Sequence, residues 1–142
     1  MEILLLDSND QIVMGLDCEW SMTIVDGRVI GPPRKLALVQ LCCQSDNKMH
    51  VVVRQVHRLK HLPSKLCALL RHEIIQFAGC QIGGDTSKIN PDFNLNIEPK
   101  NKCIELVHMT LSKGMSIGGR SLDSIAKAVL GMPINKGLRN SN

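Results

Sequence analysis

The sequence predicts an α/β fold in which a mixed β-sheet carries helices on its faces. The first half of the chain contains three apolar, strand-like segments joined by short turns, a pattern typical of an antiparallel meander. The second half alternates helix-like and strand-like segments, which favours strands covered by helices. The chain has 142 residues, enough for one domain with a substantial core.

The predicted strands are apolar runs bounded by turn residues. The three strands of the meander are predicted at residues 12–20, 35–43 and 49–53, with turn material at 23–34 and a tight turn at 45–47. A fourth, short strand is predicted at 74–78. Residues 102–109 are predicted as a fifth strand or as a strand followed by a helix.

Three helices are predicted from their periodicity and end signals. The first covers 63–71 and begins near a proline, and the second opens at Asp85 and reaches Ile89, followed by a loop at 90–101. The third covers 121–130, where Ser121 can cap the amino end and Gly131 ends the helix.

Composition narrows the functional classes. The net charge of +4 is compatible with phosphate partners but does not require them, and aromatic residues make up only 2% of the chain, which argues against base-stacking platforms. The six cysteines lack Cys-x-x-Cys spacing, so we expect free thiols. No apolar run approaches the ~20 residues of a membrane span, and the amino end does not resemble a signal peptide. We therefore expect an intracellular protein without a membrane partner.

Asp17 and Glu19 lie one residue apart in the first apolar strand. Side chains alternate along a strand, so both carboxylates point to the same face. Two like charges on an apolar strand repel each other, and a divalent cation between them would remove the repulsion. Such oxygen ligands suit Mg²⁺ or Mn²⁺. The alternative is a strand end that frays into solvent without any metal.

Asp85 is a third candidate ligand. It follows Gly83 and Gly84 at a predicted strand-to-helix junction. One interpretation is a helix N-cap, which is common for aspartate. The other is a metal ligand brought to Asp17 and Glu19 from an adjacent strand end, with the glycines allowing close approach. The two roles are compatible because each can use one oxygen.

The chain resembles the DEDD superfamily of 3′–5′ exonucleases, and within it the Werner-type exonuclease domain. The resemblance extends in order over nearly the whole sequence. The matching segments are residues 15–20, 36–41, 79–88, 104–106, 121–125, 129–131 and 136–142.

The resemblance implies a single ribonuclease-H-like domain over 1–142, with a five-stranded mixed sheet flanked by helices. It also implies two Mg²⁺ or Mn²⁺ ions and a nucleic-acid 3′ end as substrate, with two-metal hydrolysis. In this reading Asp17 bridges the ions, Glu19 binds the ion on the nucleophile side and Asp85 anchors the second. Residues on the substrate side are then Trp20, Lys136 and Arg139.

The chain departs from the family pattern near its carboxyl end. The family places a tyrosine or histidine four or five residues before a fourth aspartate. This chain has no tyrosine, and none of its five histidines precedes an aspartate at either spacing. We therefore expect an incomplete domain, cut short before its last acidic motif and helix. A partner or a second copy would then cover the apolar surface that the helix normally covers.

The leading functional hypothesis is metal-dependent removal of terminal nucleotides from DNA or RNA 3′ ends, in a nuclear protein by resemblance. The main alternative is a catalytically weak or inactive module that binds nucleic acid or protein, because the last aspartate and its base are missing. A third hypothesis is ribonuclease-H-like endonuclease activity. Cleavage of a circular substrate would distinguish this third hypothesis from exonuclease activity.

Overall fold

The computed structural model describes residues 11–31, 35–97 and 102–134. Within these ranges the chain forms strands and helices in an order that begins with strands and ends with helices. The strands are β1 (Ile12–Trp20), β2 (Thr23–Val25), β3 (Arg28–Ile30), β4 (Leu36–Ser45), β5 (Lys48–Gln55), β6 (Ile75–Gly79) and β7 (Cys103–Glu105). The helices are α1 (Ser64–Arg71), α2 (Ile82–Phe93), α3 (Leu106–Ser112) and α4 (Leu122–Leu130).

The main sheet has five strands in the order β5-β4-β1-β6-β7. The pairs β5–β4 and β4–β1 are antiparallel, whereas β1–β6 and β6–β7 are parallel. A tight turn joins β4 to β5, and the segment that contains β2 and β3 joins β1 to β4. In the parallel half, α1 precedes β6 and α2 precedes β7. The predicted α/β class with a five-stranded mixed sheet is confirmed.

The core lies on one face of this sheet. Met14, Leu16 and Cys18 alternate along β1 and are buried, and helices α1 and α2 add Leu70 and Ile82 to the same cluster. The residues between them point to the opposite face. The period of two along β1 therefore separates the core from the carboxylates of the next subsection.

The segment predicted as turn material at 23–34 contains a hairpin, so that prediction was wrong over its first half. Strands β2 and β3 pair with each other, separately from the main sheet. Their turn residues Asp26 and Gly27 both have positive φ, at 50° and 72°, as a two-residue type I′ turn requires. The Asp-Gly pair carried the signal, but the flanking residues are mostly exposed and show no burial alternation.

Helix α2 begins three residues earlier and ends later than predicted. Its first residue is Ile82 rather than Asp85, and it continues through Pro91 to Phe93. Long-range contacts support this last turn: the backbone N–H of Leu36 donates to Asp92 Oδ2 at 2.7 Å, and Asn90 exchanges two side-chain hydrogen bonds with the backbone of Ile97. Tertiary contacts thus compensate for the hydrogen bond that proline removes.

The remaining elements follow the predictions closely. The tight turn at 45–47 is confirmed by positive φ at Asp46 and Asn47, and residues 103–112 form a strand followed by a helix. Helix α4 has Ser121 as its N-cap and Gly131 in the left-handed region at its end. None of the helices in the described ranges is long and apolar enough to cross a membrane.

Ser121→Ala should lower the free energy of unfolding by about 1 kcal/mol, because Ser121 Oγ accepts the backbone N–H of Ser124 at 3.2 Å. Urea unfolding would measure the change. Ser116→Ala, at an exposed loop position, is the matched control and should change stability by less than about 0.5 kcal/mol. Equal losses in both variants would contradict the capping role.

Candidate functional site

Asp17 and Glu19 share the face of β1 opposite the core, and both are exposed. They lie near the carboxyl end of β1, beyond its pairing with the parallel strand β6 and opposite Gln40 and Leu38 of β4. The β1–β4 register shifts between Glu19 and Trp20. Irregularities of this kind re-aim side chains at strand ends. The predicted common orientation of the two carboxylates is observed, because the buried Cys18 lies between the exposed Asp17 and Glu19 along β1.

Asp85 lies in the first turn of α2 rather than at its cap, so the N-cap interpretation was wrong. The N-cap residue is Gln81, in the left-handed region and without a side-chain cap. The pKa of Asp85 is raised to about 6, first by burial and then by the charges of Asp17, Glu19 and Glu105, while Lys88 lowers it. The carboxylates of β1 and β7 therefore lie close enough to act electrostatically on Asp85 of α2.

The donor set has the chemistry of a hard-cation site. Asp17, Glu19 and Asp85 offer only carboxylate oxygens, which Mg²⁺ and Mn²⁺ prefer. Within 11–31, 35–97 and 102–134, no three such side chains are gathered closely enough to hold a metal ion as they stand. Donor type and mutual charge thus fit a divalent cation, and the metal-ligand roles of these residues stay predictions.

Gln40 is the hydrogen-bonding partner of Asp17. The two residues face each other across β1 and β4, and Gln40 Nε2 donates to Asp17 Oδ2 at 3.1 Å. The bond satisfies a polar side chain that lies inside a mostly apolar strand. Its partner depends on the register between strands, which no local pattern specifies.

Glu105 is a site residue that sequence reasoning did not assign a role. It ends β7, where its carboxylate accepts the backbone N–H of Ile82 at 3.2 Å and that of Val107 at 3.5 Å. One side chain thereby satisfies donors at the starts of α2 and α3. It also holds a negative charge near Asp85. The motif Ile104-Glu105-Leu106 was the available signal.

Of the three residues predicted on the substrate side, the structure describes only Trp20. Trp20 ends β1, packs partly against the core, and has the Lys88 ammonium 4.5 Å from its ring centre. This cation–π contact occupies part of the ring and gives Lys88 a partner that the sequence did not suggest. Lys136 and Arg139 lie outside the described residues. Substrate binding by all three predicted residues stays a prediction.

The six cysteines are free, as predicted. Burial, followed by the charges of Asp85 and its neighbours, raises the pKa of the Cys18 thiol well above its usual range. The pKa values of Cys80 and Cys103 are also raised, by burial first and by Glu105 among other charges. Protonated thiols are poor metal ligands, so the carboxylates are the better donors here.

Asp85 should make the stability of the protein depend on pH in the absence of divalent metal. Its pKa is about 6 in the folded chain against 3.8 for a free aspartate. The contribution of Asp85 to the free energy of unfolding is therefore fully present below pH 3.8 and is lost as pH rises through about 6. Asp85→Asn should unfold like the wild type near pH 4 and be more stable by on the order of 1 kcal/mol at pH 7, after allowing for solvent screening of a half-exposed group.

Urea unfolding in EDTA across this pH range would measure the difference in the free energy of unfolding between Asp85→Asn and the wild type. Asp46→Asn, at an exposed turn, controls for the loss of one negative charge. A difference that stays constant or shrinks with rising pH would contradict the assignment.

Comparison with known proteins places these features in a family. A 3′–5′ exonuclease of Drosophila virilis is 29% identical over 130 residues, or 89% of this chain. The mouse (Mus musculus) bifunctional 3′–5′ exonuclease/ATP-dependent helicase WRN is 29% identical over 136 residues, or 94% of this chain. The chain spans 37% and 9% of the lengths of these two relatives. No family model matches the chain.

A solved structure has the same architecture. The crystal structure of the EXD2 exonuclease domain soaked in Mg and GMP aligns with a TM-score of 0.54 and 28% identity, covering 94% of this chain and 64% of that one. Crystals of the same domain were also soaked in Mn.

The five-stranded mixed sheet flanked by helices is the architecture of exonuclease domains with the ribonuclease-H-like fold. The chain is homologous to the DEDD-type 3′–5′ exonuclease domains, which confirms the resemblance seen in its motifs.

Proposed function

We propose that this domain is a metal-dependent 3′–5′ exonuclease-type hydrolase that acts on terminal phosphodiesters of nucleic acid. The observation that carries the proposal is the proximity of three carboxylates from two elements: the pKa of Asp85 on α2 is raised by burial and then by the charges of Asp17 and Glu19 on β1. The homologous exonucleases and the EXD2 domain soaked in Mg and GMP support it.

The chain's own residues supply orientation and charge. Gln40 holds one oxygen of Asp17, and the first turn of α2 fixes Asp85. At Gly83 and Gly84 no atom from another described segment lies within 4 Å of where a Cβ would stand, so the described residues leave this side of the first turn uncovered. Bound divalent ions would stabilise negative charge on the phosphate and activate water.

The 142 residues include no tyrosine. No histidine stands at the family spacing before an aspartate, so the usual general base has no counterpart in this sequence. Loss of a general base typically costs ~10²–10⁴ in rate. The alternative function, a module that binds nucleic acid or protein without cutting, rests on this same observation.

The test is digestion of a 5′-labelled duplex with a recessed 3′ end, in Mg²⁺, Mn²⁺ or EDTA. The expected result is a ladder that shortens from the 3′ end with either metal and is absent in EDTA. Asp17→Asn, purified in parallel, controls for contaminating nuclease.

The same reaction on circular single-stranded DNA separates the hypotheses. Cleavage of the circle would replace the proposal with endonuclease activity. A folded protein that binds the duplex without shortening it in either metal would replace the proposal with a binding module. The nuclear location and a covering partner or second copy stay predictions.

Gln40→Leu should weaken the apparent Mn²⁺ affinity by about 10–100-fold, because outer hydrogen-bond partners orient metal-binding carboxylates. The measurement is the rise in unfolding temperature as Mn²⁺ is titrated. Gln44→Leu, the same change on an exposed residue of the same strand face, is the control and should bind as the wild type does. Equal affinities of all three proteins would remove Gln40 from the site.

A further inference from the structure

Strand β5 is an edge strand with no cover in the part of the chain that the structure describes. It lies at the end of the main sheet, and all eight of its residues are exposed. Three consecutive valines at 51–53 are each at least half exposed. A long exposed edge rich in β-branched residues is a template for another strand.

The unpaired backbone groups of this edge can be assigned by alternation. The N–H of Val56 donates to Ala37 O at 2.8 Å on the β4 side. Along a strand, successive residues direct their N–H and C=O groups to opposite sides. The groups of Val51 and Val53 therefore point outward, away from β4. An added strand would find a regular row of donors and acceptors there.

A cleft lies next to this edge, on the sheet face that carries α1. Its volume is about 210 Å³. The residues that line it, which together define the β5 cleft, are Val39, Leu41, Val52, Arg54, Pro63, Lys65 and Leu66. Five of the seven are apolar and two are cationic. The cleft therefore fits an apolar side chain with an acidic group beside it.

The segment that runs from β5 through α1 and supplies most of the β5 cleft has only cationic residues among its Lys, Arg, Asp and Glu positions. Residues 48–72 contain six lysines or arginines, four histidines and no aspartate or glutamate. This positive charge would disfavour pairing between two copies of β5. Antiparallel self-pairing centred on Val51 places Lys48 opposite Arg54, which are two cations. Like charges directly opposite each other destabilise a sheet, so an acidic strand is the better occupant.

We propose that β5 and the β5 cleft bind an extended acidic peptide by strand addition. The peptide backbone pairs with the outward groups of Val51 and Val53, and one apolar side chain enters the cleft. Carboxylates two residues away, which lie on the same face of the added strand, meet Arg54 and Lys65. In strand addition the main-chain bonds give affinity and side-chain pockets give specificity. The apolar lining distinguishes this partner from a phosphate backbone, which has no side chain to bury.

The probe for this surface is a fluorescein-labelled peptide in which threonine occupies every second position and glutamate and valine take turns at the others, so that glutamate and valine share one face. The readout is fluorescence anisotropy at low and high salt. We expect saturable binding that weakens with salt. Arg54→Glu/Lys65→Glu should weaken it by at least about tenfold, whereas Lys113→Glu, an exposed charge change elsewhere, should leave it unchanged.

Val53→Pro tests the backbone pairing separately from the charge. It removes an outward N–H but no hydrogen bond to β4, so the variant should fold, as circular dichroism would check, and lose binding. If Val53→Pro fails to fold, N-methylation of alternate peptide bonds in the probe blocks the same pairing and should abolish binding.

Three results would overturn the proposal. One is the absence of peptide binding to the folded wild type. Another is equal binding by polyglutamate or a single-stranded oligonucleotide, which would reduce the surface to a non-specific cationic patch. The third is concentration-dependent self-association that Val53→Pro abolishes, which would assign the edge to a second copy.

Discussion

Asp17→Asn should lower the rate of 3′-end hydrolysis by about 10²–10³-fold while leaving the domain at least as stable as the wild type. The loss is of the size seen when one group that stabilises transition-state charge is removed. The stability should hold because asparagine keeps an oxygen that can accept the hydrogen bond from Gln40 Nε2. The substitution also removes the negative charge of Asp17, which is one of the charges that raise the pKa of Asp85.

The two readouts together separate function from folding. Single-turnover digestion measures the rate, and urea unfolding in EDTA measures the stability. Added Mn²⁺ should raise the unfolding temperature of the wild type and have little effect on Asp17→Asn, because ligand binding to the folded state stabilises it by mass action. A variant that cuts as fast as the wild type would show that Asp17 takes no part in the reaction. A variant that is clearly less stable would assign it a structural role.

Gly79→Ala should lower the free energy of unfolding by about 1–3 kcal/mol. Gly79 ends β6, and a Cβ there would stand 2.7 Å from the backbone oxygen of Leu16 and 3.1 Å from Cδ1 of Ile82. The oxygen belongs to the central strand, so the clash can be relieved only by separating β1 from β6. Because Asp17 directly follows Leu16, that movement should also lower hydrolysis.

Gly84→Ala is the matched control for this change. Gly84 lies in α2 with no atom within 4 Å of a built Cβ, so alanine should be tolerated and raise stability by up to about 1 kcal/mol. Urea unfolding of both variants measures the difference. Equal behaviour of the two would mean that β6 is not held as close to β1 as the structure shows.

Much of the fold could be predicted because its signals are local. The alternation of Met14, Leu16 and Cys18 with polar neighbours identified both a strand and its buried face. Asp46 and Asn47 formed the predicted turn, and Ser121 and Gly131 marked the ends of α4. The hairpin β2–β3 was missed because its residues are exposed and carry no burial pattern. Its Asp-Gly turn was the only local signal.

The candidate site could be predicted only in part. The common face of Asp17 and Glu19 follows from strand geometry, and motif order brought in Asp85. The supporting residues could not be found in this way. Gln40 meets Asp17 only through the β1–β4 register, and Glu105 reaches the backbone of Ile82 from a strand that follows it by more than twenty residues.

The sequence by itself determined the period of each element, the face on which each side chain lies and the family to which the motifs point. These properties depend on neighbours within a few residues along the chain. Only the tertiary structure decided where α2 begins, which side chain holds Asp17, why position 79 must be glycine and which strand edge stays open. Each of these depends on distances between segments far apart in sequence, which only packing of the sheet and helices fixes.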